Sequence, residues 1–458
     1  MNDLTFALNP HGEIAMYEQL YRQIASEIMQ GRLLSGMRMP SRRSLSRHLG
    51  ISEQTVNTAF DLLVSEGYLR AEPRRGLFVD ELLPLPMLAA QKDESEAKPP
   101  VEPAIDFSPQ GVDVHLFPYR TWARLIRETL YTQPELLSKG EAKGEFSLRA
   151  ALCSFLYQYR GVQSRTGDVV IGSGVDHLLG VLGALLPSGS EIACEDPGYR
   201  EAARSLERAG HRALPVLMDE HGISIELLEN SHAELAYLTP AHQFPTGLSM
   251  PAGRRTELLH WAEEKNVRFL IEDDYDSEFR YASRPLPALK GMGNGDKTIY
   301  IGTFSRSLAP GIRIAYMILP AELTARYEDA GLRSGDAVSR FEQRAMARFV
   351  DEGYYARHLR RAGKLYQKRC RFICGLLAEI PGSFIRGQEA GLHFLFGIKG
   401  KSEEELIRKA QQADIPLKGL SGYCRLARLE PALVLGFAGI RETQVSNAVS
   451  ALRAAWEI

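Results

Sequence analysis

Cysteine is scarce in this chain of 458 residues: Cys153, Cys194, Cys370, Cys374 and Cys424 are odd in number and scattered. That excludes a disulfide framework. Only Cys370 and Cys374 are close, and their i,i+4 spacing on a helix reads as packing rather than as a zinc site. Long apolar runs are missing as well, since none reaches the ~20 residues that a membrane span needs. The start, Met1-Asn2-Asp3, has neither the basic stretch nor the apolar core of a secretory signal. A cytoplasmic compartment with no membrane partner is therefore expected. Net charge is nearly absent, at −2 from 55 basic and 57 acidic side chains. Attraction to nucleic acid must then come from a local basic surface. What the chain does have is an ordinary globular composition, 44% hydrophobic and 24% charged, and enough length for two or three domains.

One stretch breaks the globular pattern. Residues 81–104 hold five prolines around a charged centre and offer little to bury, which predicts a semi-extended linker. It separates a domain at 1–80 from one at 105–458. In the first, Tyr17, Leu20, Tyr21, Ile24 and Ile28 fall at helical spacing, closed by Gly31. Ser41 caps a short second helix that ends at Gly50, and Ser52 caps a third with an inner face of Val56, Ala59, Phe60 and Leu63. The tail alternates about a basic turn, Pro73-Arg74-Arg75-Gly76. Two short helices joined by a tight turn, then a hairpin, give a winged helix-turn-helix. Between Arg38 and Arg75 stand seven arginines, no lysine and four acids. The local excess of positive charge suits phosphate contacts from Arg42, Arg43, Arg47, Arg74 and Arg75. Gln54, Thr55 and Asn57, early in the third helix, are placed to meet base edges.

Beyond the linker, short β-branched runs alternate with longer helical stretches, which predicts an α/β domain with a largely parallel sheet. The large part runs from about 135 to 335 and a smaller α+β part from about 336 to 458. Gly172-Ser173-Gly174 follows a strand and opens a helix, where backbone N–H groups and the helix dipole hold phosphate. The loop from Gly302 to Arg313 is rich in small and hydroxyl residues and carries Arg306 and Arg313 seven apart. It is built to hold an anion. Glu272-Asp273-Asp274-Tyr275 ends another strand, where ligands of open α/β sheets collect. Spacing alone leaves open a Mg²⁺ site or a helix cap there.

Met39-Pro40-Ser41-Arg42-Arg43-Ser44-Leu45, Leu49-Gly50-Ile51-Ser52 and Glu66-Gly67-Tyr68-Leu69 resemble the DNA-binding domain of GntR-family regulators. Glu53 departs from that pattern, which usually has arginine at this point. Glu195-Asp196-Pro197-Gly198-Tyr199, Thr239 to Gly247, Ile271 to Tyr281 and Gly302 to Arg313, in that order, resemble the aminotransferase-like domain of MocR-type regulators. That subfamily fuses a winged helix to a fold type I domain of the kind that binds pyridoxal 5'-phosphate (PLP). The resemblance implies that Asp273 pairs with the pyridine nitrogen, Tyr275 bonds the 3'-oxygen and Tyr199 stacks on the ring. It also implies that Ser173, Gly174, Val175, Thr303 and Arg313 hold the phosphate, and that His242 lines the pocket. No metal is expected. The lysine that makes a Schiff base in the family is replaced by Arg306, whose guanidinium stays protonated and cannot form an imine. The same sequence results from natural loss of that lysine or from deliberate replacement. The family's substrate-carboxylate arginine is also missing from Leu433 to Phe437, with Arg425 and Arg428 as nearby candidates.

A transcriptional regulator is thus expected, binding an operator in double-stranded DNA and sensing PLP or a PLP–amino compound adduct, as a head-to-tail homodimer. Turnover is not expected. The alternatives are a PLP-dependent aminotransferase with an accessory DNA-binding domain, and a regulator that senses another anionic metabolite.

Overall fold

The computed structural model describes residues 6, 8–9, 14–81, 105–264, 268–281, 287–293 and 295–457. Nearly all of the expected linker lies outside them. The chain divides into two compact units, residues 1–100 and 101–458.

The first unit is built as its caps dictate. Helices α1 (Met16–Met29), α2 (Arg42–Leu49) and α3 (Glu53–Ser65) precede a hairpin of β1 (Leu69–Glu72) and β2 (Gly76–Val79). Ser41 Oγ accepts the amide of Ser44, and Ser52 Oγ accepts that of Thr55, each at 3.1 Å. Each cap fixes where a helix begins and contributes about 1 kcal/mol. Gly50, at φ 66°, ends α2 in the left-handed region. Val56, Ala59, Phe60 and Leu63 of α3 are fully buried against Leu20 and Ile24 of α1.

The second unit is α/β. It runs α4 (Tyr119–Thr132), α5 (Phe146–Arg160), β3 (Val169–Gly172), α6 (Val175–Leu185), β4 (Glu191–Asp196), α7 (Arg200–Arg208), β5 (Arg212–Asp219) and β6 (Gly222–Ile223). There follow α8 (Ile225–Glu229), β7 (Leu235–Leu238), α9 (Ala252–Glu263), β8 (Phe269–Asp274), β9 (Thr298–Thr303), β10 (Ala315–Ile318) and α10 (Ala321–Asp329). The chain continues with α11 (Arg340–Asp351), α12 (Tyr354–Ala378), β11 (Ser383–Arg386), β12 (His393–Ile398), α13 (Glu403–Gln412), β13 (Leu433–Gly436) and α14 (Val445–Trp456).

The main sheet has the order β3-β10-β9-β8-β7-β4-β5-β6. Strands β9, β8, β7, β4 and β5 are mutually parallel, while β10 runs antiparallel between β3 and β9. The reversal has a simple cause. The segment between β9 and β10 carries no α-helix, and a parallel return needs a crossover of a dozen or more residues, usually helical.

Strand pleating sorts side chains onto two faces. Val170, Ile271, Ile299 and Ile301 pack on one, with α6 and α7. Val169, Ile171, Tyr300 and Tyr316 pack on the other, with α5, α11 and α12. The acidic run at the end of β8 is divided in the same way: Asp273 shares the face of Ile271, while Glu272 and Asp274 share the opposite one.

Candidate functional site

On the face of Asp273, a cavity of about 380 Å³ opens at the strand ends. Gly174 and Val175 supply the start of α6, Tyr199 the turn after β4, and Asp273 and Tyr275 the end of β8. Thr303, Ser305 and Arg306 follow β9, Arg313 precedes β10, and Pro109 and Gln110 close the wall. Gly174 has φ 138° and no side-chain cap follows it, so the first N–H groups of α6 remain available to an anion. A Cβ at Gly174 would run into the guanidinium of Arg313. Glycine is required for that approach.

Asp273 is 4% exposed and accepts from the Tyr237 hydroxyl. Burial pushes its carboxyl up to about 7, with help from Asp274. Tyr275 donates to the His242 carbonyl at 2.8 Å. Arg306 Nη2 donates to the Pro109 carbonyl at 2.5 Å, tying the loop to the segment that enters this unit. Among the described residues, three buried polar atoms of the lining have no hydrogen-bond partner: Asp273 Oδ1, Ser305 Oγ and Arg306 Nη1. Buried polar groups are normally satisfied.

Eight of the ten pocket residues expected from sequence line this cavity. Ser173 and His242 do not. The Ser173 amide turns back to His177 Nδ1 at 3.2 Å, and His242 lies behind Tyr275 with Nδ1 3.1 Å from Asp276. Arg425 and Arg428 are directed elsewhere, to Glu207 and the Ala213 carbonyl and to the Ala427 carbonyl respectively. The Mg²⁺ alternative at the acidic run has no support. Glu272 accepts the amides of Leu289 and Lys290, Asp274 pairs with Arg160 at 2.7 Å, and Asp273 faces away from both. Sequence reasoning missed Tyr237, Ser305 and Pro109. A tyrosine whose position in β7 faces the same side as Asp273 was the one available signal.

Charge in the first unit is less free than its arginine count suggests. Arg42 pairs with Asp61 at 2.5 Å, Arg75 with Glu72 at 2.6 Å, and Arg43 lies 3.7 Å from Glu53. Among the described residues Arg47 and Arg74 enter no ion pair. Gln54 is exposed, Thr55 Oγ1 is engaged with Ser52 Oγ at 2.8 Å, and Asn57 lines a groove with Arg42, Arg43 and Glu53. These exposed pairs are weak and exchange readily for phosphate.

Burial also raises Glu195 to about 7 and Glu278 to about 8. With Asp273, three carboxyls hold protons more tightly in the folded chain than in the unfolded one. Their contribution is fully present below the ordinary carboxyl range and is lost as pH rises through about 7 to 8. The melting temperature of the ligand-free protein should fall between pH 5 and pH 8, and Asp273→Asn should flatten the slope. Calorimetry across that range checks both.

Comparison with known proteins gives a consistent outcome. The family described as "Bacterial regulatory proteins, gntR family" matches residues 16–79, and "Aminotransferase class I and II" matches residues 113–452. An uncharacterised HTH-type regulator of Bacillus subtilis, YdeL, is 35% identical over the whole of both chains. The probable rhizopine catabolism regulatory protein MocR of Rhizobium meliloti is 30% identical, covering 98% of this chain and 95% of its own. The pyridoxine biosynthesis regulator PdxR of Corynebacterium glutamicum is 31% identical over 98% and 99%. Among solved structures, a kynurenine aminotransferase of Pyrococcus horikoshii aligns with a TM-score of 0.69 at 24% identity, covering 78% of this chain and 91% of its own. At that identity the likeness shows the fold alone. No helix among the described residues is long and apolar enough to cross a membrane.

Proposed function

The chain belongs to the MocR-type regulators of the GntR family, and on that premise we propose that its aminotransferase-like domain senses PLP held without a covalent bond. It is a transcriptional regulator with a GntR-type DNA-binding domain; the ligand, its mode of attachment and the residues involved are the proposal.

The observation that carries it is the set of unpartnered atoms in one cavity: an acceptor at Asp273 and donors at Ser305 and Arg306. Bound PLP supplies an electron-poor ring with a nitrogen to protonate, a phenolic oxygen and a phosphate dianion. Asp273 would take the ring nitrogen, Tyr275 the oxygen and Tyr199 the ring face. Gly174, Val175, Thr303 and Arg313 would take the phosphate. Arg306 adds a fixed positive charge but no nucleophile, because a guanidinium does not deprotonate in proteins. Binding is then reversible, and turnover is not the role of the site.

DNA contacts are assigned to Arg42, Arg43, Arg47, Arg74 and Arg75 for phosphate and to Gln54, Thr55 and Asn57 for bases. Glu53 accepts from a cytosine amino group or weakens phosphate binding. A homodimer would suit two half-sites, and the second unit has apolar surface for it: Leu130, Tyr131, Leu137 and Phe146 are all exposed, Tyr131 at 84%.

The test is a PLP titration followed by absorbance and by operator binding. Asp273→Ala should weaken PLP by ~10- to 100-fold, the worth of a hydrogen bond to a charged group, and should remove the operator response. Equal PLP affinity in variant and parent would sink the assignment.

A further inference from the structure

A second cavity, of about 280 Å³, lies on the opposite face of the main sheet from the first. Its floor is tyrosine-rich, with Tyr300 and Tyr316 from β9 and β10, and α5 and α12 form its walls. We propose that this cavity binds a small amino acid, with the ligand ammonium on the Glu278 carboxyl and its carboxylate on Arg360 and Lys364. The proposal concerns the amino-compound half of the sensing role, and the site is separate from the PLP cavity.

Its chemistry is two-ended. Glu278 lines the cavity, and its Oε2 is sealed from solvent with no hydrogen-bond partner among the described residues. A buried carboxyl in that state calls for a donor. Burial keeps it protonated near neutral pH, and an arriving ammonium restores the charged form. At the other end, Arg360 and Lys364 of α12 line the same cavity, are exposed and enter no ion pair among the described residues. The neighbouring acid Asp274 does not line the cavity, and its Oδ2 is held by Arg160 at 2.7 Å and by the Tyr300 hydroxyl at 2.5 Å. A zwitterion satisfies both ends at once, whereas a simple anion leaves Glu278 without a partner.

The two cavities also share a hydrogen-bonded chain. Ser307, next to Arg306, bonds the Tyr355 hydroxyl at 2.8 Å, and Tyr355 donates to Glu278 Oε1 at 3.0 Å. A change in the charge of Glu278 is therefore felt one residue from Arg306.

Calorimetry on the full-length protein at saturating PLP tests this, with glycine, L-alanine, L-glutamate, β-alanine and 5-aminopentanoate as probes. Saturable binding of at least one probe is expected. It should weaken at least tenfold in Glu278→Gln and in Lys364→Ala, the latter a surface change that leaves the fold intact. It should be unaffected by Asp273→Asn. Absence of binding by every probe, or binding unchanged in both variants, overturns the proposal. Binding lost only in Asp273→Asn also overturns it, by placing the ligand in the first cavity. If PLP itself fails to bind, the same titration without PLP still decides the question.

Discussion

Phe60→Ala is expected to abolish operator binding while leaving the second unit folded and able to take up PLP. Phe60 is 0% exposed and sits in one small core with Leu20, Ile24, Val56 and Leu63. Truncating a buried phenylalanine costs about 3–5 kcal/mol. Domains of this size bury a modest fraction of their surface and are correspondingly marginal, so the loss is comparable to their whole stability of roughly 5 kcal/mol. The recognition helix would then be unformed at growth temperature. Fluorescence anisotropy with operator DNA should show no specific binding, and calorimetry should show one transition lost or lowered with the other unchanged. Retained operator affinity would mean that this core is not what holds the recognition helix in place.

Arg306→Lys should convert a reversible ligand into a retained one. Arg306 sits between the cavity and the Pro109 carbonyl with Nη1 unpartnered. A lysine there brings an amine that can lose its proton in a partly buried, cation-rich site, which the guanidinium cannot. The variant should carry PLP through dialysis, show a new visible absorption band, and keep the cofactor after borohydride treatment. The parent should release PLP and show none of these. If both chains retain PLP alike, another group is holding it, and the role assigned to Arg306 is wrong.

Much of this was legible in the sequence because it is local. Ser41, Gly50 and Ser52 announce their helix ends through bonds that span three or four residues. Gly174 and Arg313, 139 positions apart, each sit in a loop whose composition suggests an anion site, but it is the antiparallel pairing of β3 with β10 that brings them together. Other features depend on tertiary placement. His242 belongs to the right loop, yet its ring turns toward Asp276 and His393 and away from the cavity. The antiparallel insertion of β10 follows from a missing crossover helix, which strand propensity does not report. Tyr237 and Pro109 have no motif of their own, and only the sheet order and the packing of the entering segment bring them to Asp273 and Arg306.

The bond from Arg306 to Pro109 has a consequence for signalling speed. The stretch from Phe107 to Gly111 is clasped at two points, by Arg306 and by the Gly436 amide on the Phe107 carbonyl at 2.8 Å. It also lies near the start of the second unit. A ligand that takes Arg306 Nη1 would bear on the same guanidinium whose Nη2 holds Pro109, so occupancy and the grip on this segment would be coupled through one side chain. If the ligand is held without a covalent bond, as proposed, that event runs at the rate of ligand exchange. Such a regulator keeps no record of past abundance and reports only the concentration of the moment.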